Sequence, residues 1–332
     1  MTRNEFVDKR IIRGSATGKT MFAPILMHFI ARYAGGNYAR FASDYRFFVE
    51  SNIKAVEDFD IDMVGLISDP YRETSAFGAR IEFLAEGVPR CLDLLIKNED
   101  DIRNLGRPDV YKCERTLDRI LGAELLAKRI NGQIPVFGWI EGPLAEACDL
   151  AGIEQFLIMT MMAPETANIL LDKCLLMAKD FAKAQIQAGC DIIGIGDAIC
   201  SQIDPYTYNT FVKERHREII SYIHDQGAIV KLHICGDITH LLPLINDLEI
   251  DILDIDWQIN PQLAFEVMGP NVIRCGNIDP RFVKDKHPEE VFSACKLLSD
   301  NEKGRNFILS AGCEIIVTTP VENLLAMRKA TL

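Results

Sequence analysis

Residues 228–234, Ala-Ile-Val-Lys-Leu-His-Ile, form a short apolar run of the kind found in strands that are buried on both faces. Seven similar runs follow one another along the chain, at residues 24–28, 63–67, 134–139, 191–196, 252–256, 272–276 and 306–310. Longer segments with helical periodicity separate them. Several open with a proline, which suits the first turn of a helix. These are residues 164–188, 205–226, 288–299 and 320–329.

The alternation of eight strands with helices predicts a TIM (β/α)8 barrel. An open doubly wound sheet is the alternative, but no Gly-x-Gly-x-x-Gly turn follows the first strand. We expect a single domain over residues 1–332, because no proline- or serine-rich linker divides the chain. Two additions to the barrel are expected, an N-terminal extension over residues 1–20 and a β-hairpin inserted at about residues 80–96, turning at Glu86-Gly87.

The composition is typical of a soluble globular protein, with 48% hydrophobic and 25% charged residues. The formal net charge of −12 argues against binding to nucleic acids or to anionic membranes. No apolar run reaches the ~18 residues that a transmembrane helix needs, and the N-terminus lacks the apolar core of a signal peptide. The ten cysteines are scattered through hydrophobic segments, which favours reduced thiols in a cytoplasmic protein.

His233 and Cys235 stand two residues apart at the end of the fifth predicted strand, so their side chains point the same way. Cys313 follows the eighth strand and meets them only through the fold. One imidazole and two thiols are three of the four ligands of a tetrahedral zinc site, and the open fourth position accepts a reacting group. Polar residues that follow the other strands share this end of the barrel. They are His28, Ser68, Asp69, Glu141, Asp197, Asp256, Asn277 and Asp279.

Five segments resemble signatures of the uroporphyrinogen decarboxylase superfamily, and the resemblance covers nearly the whole chain. The fold of that superfamily is a TIM barrel, in agreement with the strand count. The segments are Met27-His-Phe-Ile-Ala-Arg-Tyr33, Ile67-Ser-Asp69, Leu253-Asp-Ile-Asp-Trp257, Gly276-Asn-Ile-Asp-Pro280 and Thr319-Pro-Val-Glu-Asn323.

The chain also departs from the decarboxylase pattern at three points. His28 stands where decarboxylases have an arginine that holds the acidic side chains of a porphyrinogen, and Cys313 stands where they have a histidine. A His-x-Cys pair followed much later by one cysteine is instead similar to the zinc-dependent branch of the superfamily, which contains methylcobamide:coenzyme M methyltransferases and related corrinoid-dependent methyltransferases. This resemblance implies that His233, Cys235 and Cys313 are zinc ligands.

The same resemblance implies a methyltransferase that moves a methyl group between methylcobalamin on a corrinoid protein and a small substrate, with a thiol or its methylated form preferred. The chain has no Asp-x-His-x-x-Gly corrinoid-binding signature, so the corrinoid would be supplied by a partner protein. A uroporphyrinogen decarboxylase is the alternative. A homodimer is one candidate assembly, because barrels of this type are often dimers.

Roles for the remaining polar residues follow from their places at the barrel rim. We expect Asp197 and Glu141 to act in catalysis by orienting the substrate or the zinc ligands. We expect His28, Asp69 and Asn277 to bind substrate.

The fourth zinc position is expected to hold water or a weak carboxylate ligand at rest. Asp256 and Glu314 are the candidates, and Asp256 is preferred because it ends a predicted strand. The four histidines outside the predicted site are expected on the surfaces of helices. They are His216, His224, His240 and His287.

Overall fold

The computed structural model describes Phe6 and residues 19–332, so most of the predicted N-terminal extension lies outside the described residues. Eight parallel strands form one sheet, and two short antiparallel strands form a hairpin. The strands are β1 (Met21–Phe22), β2 (Val64–Gly65), β3 (Ile81–Glu82), β4 (Arg90–Cys91), β5 (Val136–Glu141), β6 (Ile192–Gly196), β7 (Ile229–His233), β8 (Ile252–Ile255), β9 (Ile273–Ile278) and β10 (Phe307–Ala311).

The sheet closes on itself. Its strand order is β1-β10-β9-β8-β7-β6-β5-β2, which leaves β1 and β2 to meet at the seam. There the backbone N–H of Asp62 donates to the carbonyl oxygen of Phe22 over 2.9 Å, and the Asp62 carboxylate accepts the Phe22 N–H over 2.8 Å. The predicted TIM barrel is therefore confirmed. The predicted hairpin insertion is confirmed as well, since β3 and β4 lie within residues 80–96.

Helices surround the barrel, and three of the four that were predicted from an opening proline match the structure within two residues at either end. The fourth, predicted over residues 205–226, is divided by a π-helical turn at Tyr208–Val212. Among the described residues no helix has both the length and the apolar character needed to span a membrane. The helices are α1 (His28–Tyr33), α2 (Tyr38–Ser43), α3 (Tyr45–Phe59), α4 (Arg72–Ala76), α5 (Glu99–Asn104), α6 (Glu114–Ile130), α7 (Pro143–Ala151), α8 (Ile153–Met162), α9 (Pro164–Gln187), α10 (Pro205–Thr207), α11 (Lys213–Asp225), α12 (Leu242–Ile245), α13 (Pro261–Met268), α14 (Pro280–Asp285), α15 (Pro288–Asn301) and α16 (Val321–Lys329).

The first strand does not lie where the sequence predicted it. The expectation was residues 24–28, whereas β1 covers Met21–Phe22. The N–H of Ala23 still donates to Leu309 of β10 over 3.0 Å. Pro24 has no N–H to continue this ladder, so the strand ends before the predicted one begins. His28 consequently opens helix α1 instead of ending a strand.

Apolar side chains from all sides of the barrel meet in its interior, mostly from the first residues of the strands. Isoleucine is the most frequent residue type of this layer, and β-branched side chains suit a pleated, fully buried surface. These side chains fill the lower part of the barrel, and the polar residues that follow the strands lie at the opposite, C-terminal end. The buried residues of this inner cluster are Phe6, Met21, Ala23, Met63, Phe137, Trp139, Ile192, Ile229, Ile252, Ile273, Cys275 and Ile308.

A half-buried histidine on α11 gives the fold a pH-dependent contact. Asp251, at the start of β8, accepts the Val230 N–H over 2.8 Å and bonds His224 Nε2 over 2.7 Å. The hydrogen bond to Asp251 raises the pKa of His224 above its usual value. A raised histidine pKa contributes stability that is present below the unfolded pKa, about 6.5, and is lost as the pH rises through the folded pKa.

We therefore expect His224→Gln to lower the free energy of unfolding at pH 6 by a few tenths to about 1 kcal/mol, and by less at pH 9. The small size reflects solvent screening, since the His224 side chain is 34% exposed. Urea unfolding of the wild type and the variant at both pH values measures the difference. An equal loss of stability at both pH values would contradict the prediction.

Candidate metal centre

The three candidate metal ligands lie together at the C-terminal end of the barrel. His233 is the last residue of β7, Cys235 follows two residues later, and Cys313 lies two residues beyond β10. His233 Nε2 is 3.0 Å from Cys235 Sγ, and the two sulfur atoms are 3.4 Å apart. All three donor atoms lie within 4.8 Å of one another, a separation that one metal ion bridges.

A buried ion pair orients the imidazole from inside the barrel. Lys231 on β7 forms an ion pair with Asp254 on β8, and Asp254 Oδ2 also bonds His233 Nδ1 over 2.8 Å. This bond leaves Nε2 facing the two thiols, an arrangement common for metal-binding histidines. Burial disfavours the Asp254 carboxylate, but the charge of Lys231 and the bond to His233 hold its pKa down to about 2.

The same contacts set the ionisation of His233. Burial opposes a charged imidazole, but the hydrogen bond to Asp254, followed by the contact with Cys313, raises its pKa to about 9. The hydrogen bond between the two thiols lowers the pKa of Cys313 to about 4 and raises that of Cys235. The close contact of the two sulfur atoms thus favours ionisation of one thiol of the pair. A thiolate is the form of cysteine that binds metals.

The structure separates the two candidates for a fourth ligand. Asp256 Oδ2 accepts the Gly236 N–H over 2.6 Å, and its Oδ1 accepts the Trp257 N–H over 2.7 Å. Both oxygens therefore hold the loops after β7 and β8. Glu314 lies on the wall of the same cavity as the three ligands, where its Oε1 accepts the His28 N–H over 2.7 Å and burial raises its pKa to about 7. Because Glu314 lines the cavity and Asp256 does not, we propose Glu314 as the candidate fourth ligand, contrary to the expectation from the strand ends.

A cavity of about 140 Å³ opens beside the three ligands. The Trp139 indole forms part of its wall, with a centroid 5.6 Å from that of the His233 ring. Gly194 and Gly196 on β6 leave room for this indole, because a Cβ on Gly196 would lie 2.8 Å from Trp139 Cζ2. The other apolar residues of the wall are Ile25, Met27, Ile67, Pro70 and Ala198.

We expect Gly194→Ala to destabilise the protein by about 1–3 kcal/mol, since overpacking of a filled core costs about that much. A Cβ at this position would overlap the Trp139 indole and lie 2.7 Å from its Cζ3. Gly106→Ala is the matched control, because a Cβ there meets no atom within 4 Å. Urea unfolding measures both variants. Equal free energies of unfolding for the two variants would show that the Trp139 indole can shift without cost, and would contradict the prediction.

Glu141, at the end of β5, lies in the cavity wall as expected. Arg72 Nη2 donates to its Oε1 over 3.0 Å, and the Trp139 indole N–H donates to the same oxygen over 3.3 Å. Glu73 accepts the backbone N–H of Glu141 over 2.9 Å. Burial, only partly offset by Arg72, raises the pKa of Glu141 well above its usual range. Burial thus favours the protonated form of Glu141, and the bond from Arg72 opposes it.

Asp69 also lines the cavity, and its carboxylate is charged. It forms a buried ion pair with Arg115 and accepts the Ser68 hydroxyl over 2.8 Å. Burial disfavours the carboxylate, but the charges of Arg115 and Arg72 outweigh burial and lower its pKa. Asp69 therefore lies at the cavity, as predicted, but its negative charge is already paired with Arg115.

A family model described as uroporphyrinogen decarboxylase (URO-D) matches residues 9–331. The chain belongs to this family. It is 28% identical over 290 residues to a uroporphyrinogen decarboxylase of Geobacter metallireducens, which covers 84% of this chain and 82% of that protein. It is 26% identical over 264 residues to a methylated-thiol–coenzyme M methyltransferase of Methanosarcina mazei, which covers 78% of this chain and 69% of that protein.

Among solved structures, a methyltransferase from Methanosarcina mazei superposes on this uroporphyrinogen decarboxylase-family chain with a TM-score of 0.87 over 98% of both chains. At 20% sequence identity this likeness shows a shared fold. The predicted resemblance to the superfamily is confirmed, and methyltransferases as well as decarboxylases are among the relatives.

Asp197 was predicted to act in catalysis at the barrel rim. In the structure it does not line the cavity. It is fully buried, and its Oδ1 accepts the Ala145 N–H in the first turn of α7 over 2.8 Å. Gly142 makes this possible, because a Cβ there would overlap the Asp197 carboxylate. Carboxylates at a helix N-terminus satisfy unpaired N–H groups and favour the helix dipole. Asp197 is thus a helix cap.

His216 is buried next to Asp197, so the prediction that it lies on the surface of a helix is wrong. Its Nε2 lies 2.9 Å from Asp197 Oδ2, and its Nδ1 lies 2.9 Å from the Tyr208 hydroxyl. Asp197, Cys200 and His216 also lie close enough to one another to hold a metal. Both ring nitrogens of His216 are already bonded within the protein, however, so we assign the group to packing of β6 against α11.

Asn277 and His28 lie away from the cavity, against their predicted roles in substrate binding. The Asn277 amide donates to Ile259 O over 2.7 Å and so braces the loop after β8. The His28 ring packs on Tyr38 with centroids 4.9 Å apart, and its Nε2 lies 3.3 Å from Glu86 of the hairpin turn. Strand-end position predicted the right end of the barrel for both residues but not the direction of the side chain.

Proposed function

We propose that this protein is a zinc-dependent methyltransferase that moves a methyl group between a corrinoid protein and a small sulfur substrate. The observation that carries the proposal is the convergence of His233, Cys235 and Cys313 at the bottom of one cavity. Two thiols and an imidazole form a donor set that suits zinc, with a position left for a reacting group.

The donor set fits such an ion in this structure. The imidazole is fixed by Asp254 with Nε2 directed at the thiols, and the two sulfur atoms lie 3.4 Å apart. His233, Cys235 and Cys313 would hold the metal, with Glu314 as the nearby carboxylate. When bound, zinc lowers the pKa of a coordinated thiol, so that the substrate sulfur is a thiolate at neutral pH.

The protein groups around the site prepare it for that chemistry. Lys231 keeps Asp254 ionised, and the Asp254 carboxylate accepts the Nδ1–H of His233, which leaves Nε2 free to bind a metal. Trp139 and the aliphatic side chains give the cavity a mostly apolar wall. The Glu141 carboxyl, held by Arg72, offers a hydrogen-bonding group to a bound substrate. We propose these as positioning and binding roles.

The corrinoid would come from a partner protein that docks at the barrel mouth. The sequence lacks the Asp-x-His-x-x-Gly signature of corrinoid carriers. Relatives of this chain in Methanosarcina are described as methylcobamide:coenzyme M and methylated-thiol–coenzyme M methyltransferases, which supports the same kind of partner. A cytoplasmic location and a homodimer stay predictions of the sequence.

Uroporphyrinogen decarboxylation is the second candidate, because decarboxylases are among the relatives and Asp69 of the Ser-Asp motif lines the cavity. The cavity, about 140 Å³, is small for a tetrapyrrole. Among the described residues, Arg72 and Arg115 bind the carboxylates of Glu141 and Asp69, which line the cavity, and neither arginine lines it. These features favour the methyltransferase.

Metal analysis and a transfer assay test the proposal together. We expect about one zinc per chain in the purified protein. We also expect loss of the cobalt–carbon absorbance of free methylcobalamin when the protein and a small thiol are added. A metal-free protein that decarboxylates uroporphyrinogen would overturn the proposal.

A further inference from the structure

The cavity wall is rich in carboxyl groups and poor in cations. Among the described residues that line it, His233 alone has a basic side chain, and its ring nitrogens face Asp254 and Cys235. A ligand that carries a negative charge therefore finds no basic group in the wall to receive it. The carboxyl groups of the wall belong to Asp69, Glu141 and Glu314.

The two arginines behind this wall are already paired. Arg72 is fully buried, its Nη2 donates to Glu141 over 3.0 Å, and the same atom lies 3.5 Å from Glu73 Oε2. Arg115 is 6% exposed and forms its ion pair with Asp69. An anion in the cavity would have to displace a buried carboxylate to reach either guanidinium, and breaking a buried ion pair is strongly unfavourable.

The rest of the wall suits an uncharged molecule. Six of its residues are apolar, and the Glu141 carboxyl group already accepts hydrogen bonds from Arg72 and from the Trp139 indole. Such a wall gains from apolar contact and offers a hydrogen bond, but it does not compensate the desolvation of an ion. The volume of about 140 Å³ limits the ligand to a small molecule.

We propose that the substrate of this site is a small, uncharged thiol or its methyl thioether, and that sulfur compounds with a carboxylate or sulfonate are rejected. The inference rests on the proposed methyl transfer. In that reaction the thiol loses its proton to solvent and its sulfur bonds the methyl carbon. The cobalt–carbon bond breaks, and its electron pair stays on the corrinoid. Coenzyme M carries a sulfonate, so this chain would differ in substrate from relatives described by that name.

Ligand binding separates this inference from the reaction. The probes are (methylthio)acetamide and (methylthio)acetate, which match in size and differ in charge, with 2-(methylthio)ethanesulfonate as a second anion. Thioethers are used because their sulfur does not ionise. Binding to the zinc-loaded protein is followed by the fluorescence of Trp139 in a Trp257→Phe background. Trp257 is 40% exposed and outside the cavity, so its replacement removes a background signal.

We expect the amide to bind at least about tenfold more tightly than either anion, since an uncompensated buried charge costs more than ~1.4 kcal/mol. Met27→Lys places a flexible cation in the half-buried part of the wall and should reduce this ratio at least about tenfold. Met27→Gln, with a neutral side chain of similar length, should leave the preference in place.

Equal or tighter binding of either anion by the wild type would overturn the inference, as would no binding of any of the three probes. The proposed function has a separate outcome. If the amide is preferred but no thiol is methylated from methylcobalamin, the methyl-transfer proposal is wrong and the charge preference stands.

Discussion

Cys313→Ser is expected to lower the zinc content from about one ion per chain to a small fraction of that, with at least ~100-fold weaker zinc affinity. A serine hydroxyl does not ionise near neutral pH, so the variant loses an anionic ligand. It also loses the partner of Cys235, whose sulfur lies 3.4 Å from that of Cys313. Elemental analysis gives the zinc content, and competition with a chromophoric chelator gives the affinity.

Cys113→Ser is the matched control. Cys113 is a free, half-buried cysteine like Cys313, but it lies at the start of α6, away from the cavity. Its replacement should leave zinc content, zinc affinity and methyl transfer unchanged. Zinc binding by Cys313→Ser at the wild-type level would show that the ion sits elsewhere and would remove the basis of the proposed function.

The barrel itself was readable from sequence because its signal is spread over many residues. Runs such as Ile192–Gly196 are apolar on both faces and recur between helices, so an error at one run does not alter the count. The shift of β1 illustrates the local limit. Pro24 removes one donor from the ladder, and a strand of two residues carries too little pattern to be found by periodicity.

The convergence of the three candidate ligands could be predicted for a different reason. His233 and Cys235 are fixed by the pleat of one strand, and the barrel requires that a residue after β10 meets the same rim. The choice between Asp256 and Glu314 depended on loop conformation instead. Asp256 turns its oxygens to backbone N–H groups of Gly236 and Trp257, which no side-chain spacing reveals.

Buried polar residues away from the rim were missed, although weak signals existed. Lys231 lies two residues before His233 on β7, so both side chains point to the same face of the strand. A charged lysine inside the barrel was therefore implied, and Asp254 on β8 is its partner. His216 follows Val212 by four residues and precedes Ile220 by four, which places it on the buried stripe of α11. Its polar type outweighed this position in the sequence-based interpretation.

Asp254→Asn is expected to destabilise the fold by about 3–5 kcal/mol and to weaken zinc binding by about 10–100-fold. The amide keeps the size of the carboxylate but removes its charge. Lys231, 1% exposed, is then left without its buried counterion, and His233 Nδ1 is left with a neutral amide oxygen in place of a carboxylate as its acceptor. Urea unfolding measures the first effect, and chelator competition on the folded variant measures the second.

The double variant Lys231→Met with Asp254→Asn separates the two causes. Removing both charges eliminates the unpaired cation, so most of the lost stability should return, because a buried ion pair adds little over an apolar replacement. Zinc affinity should stay low, since the neutral Asn is still a weaker partner for the imidazole than a carboxylate. If affinity returns together with stability, Asp254 acts only as the counterion of Lys231 and does not position His233 for a metal.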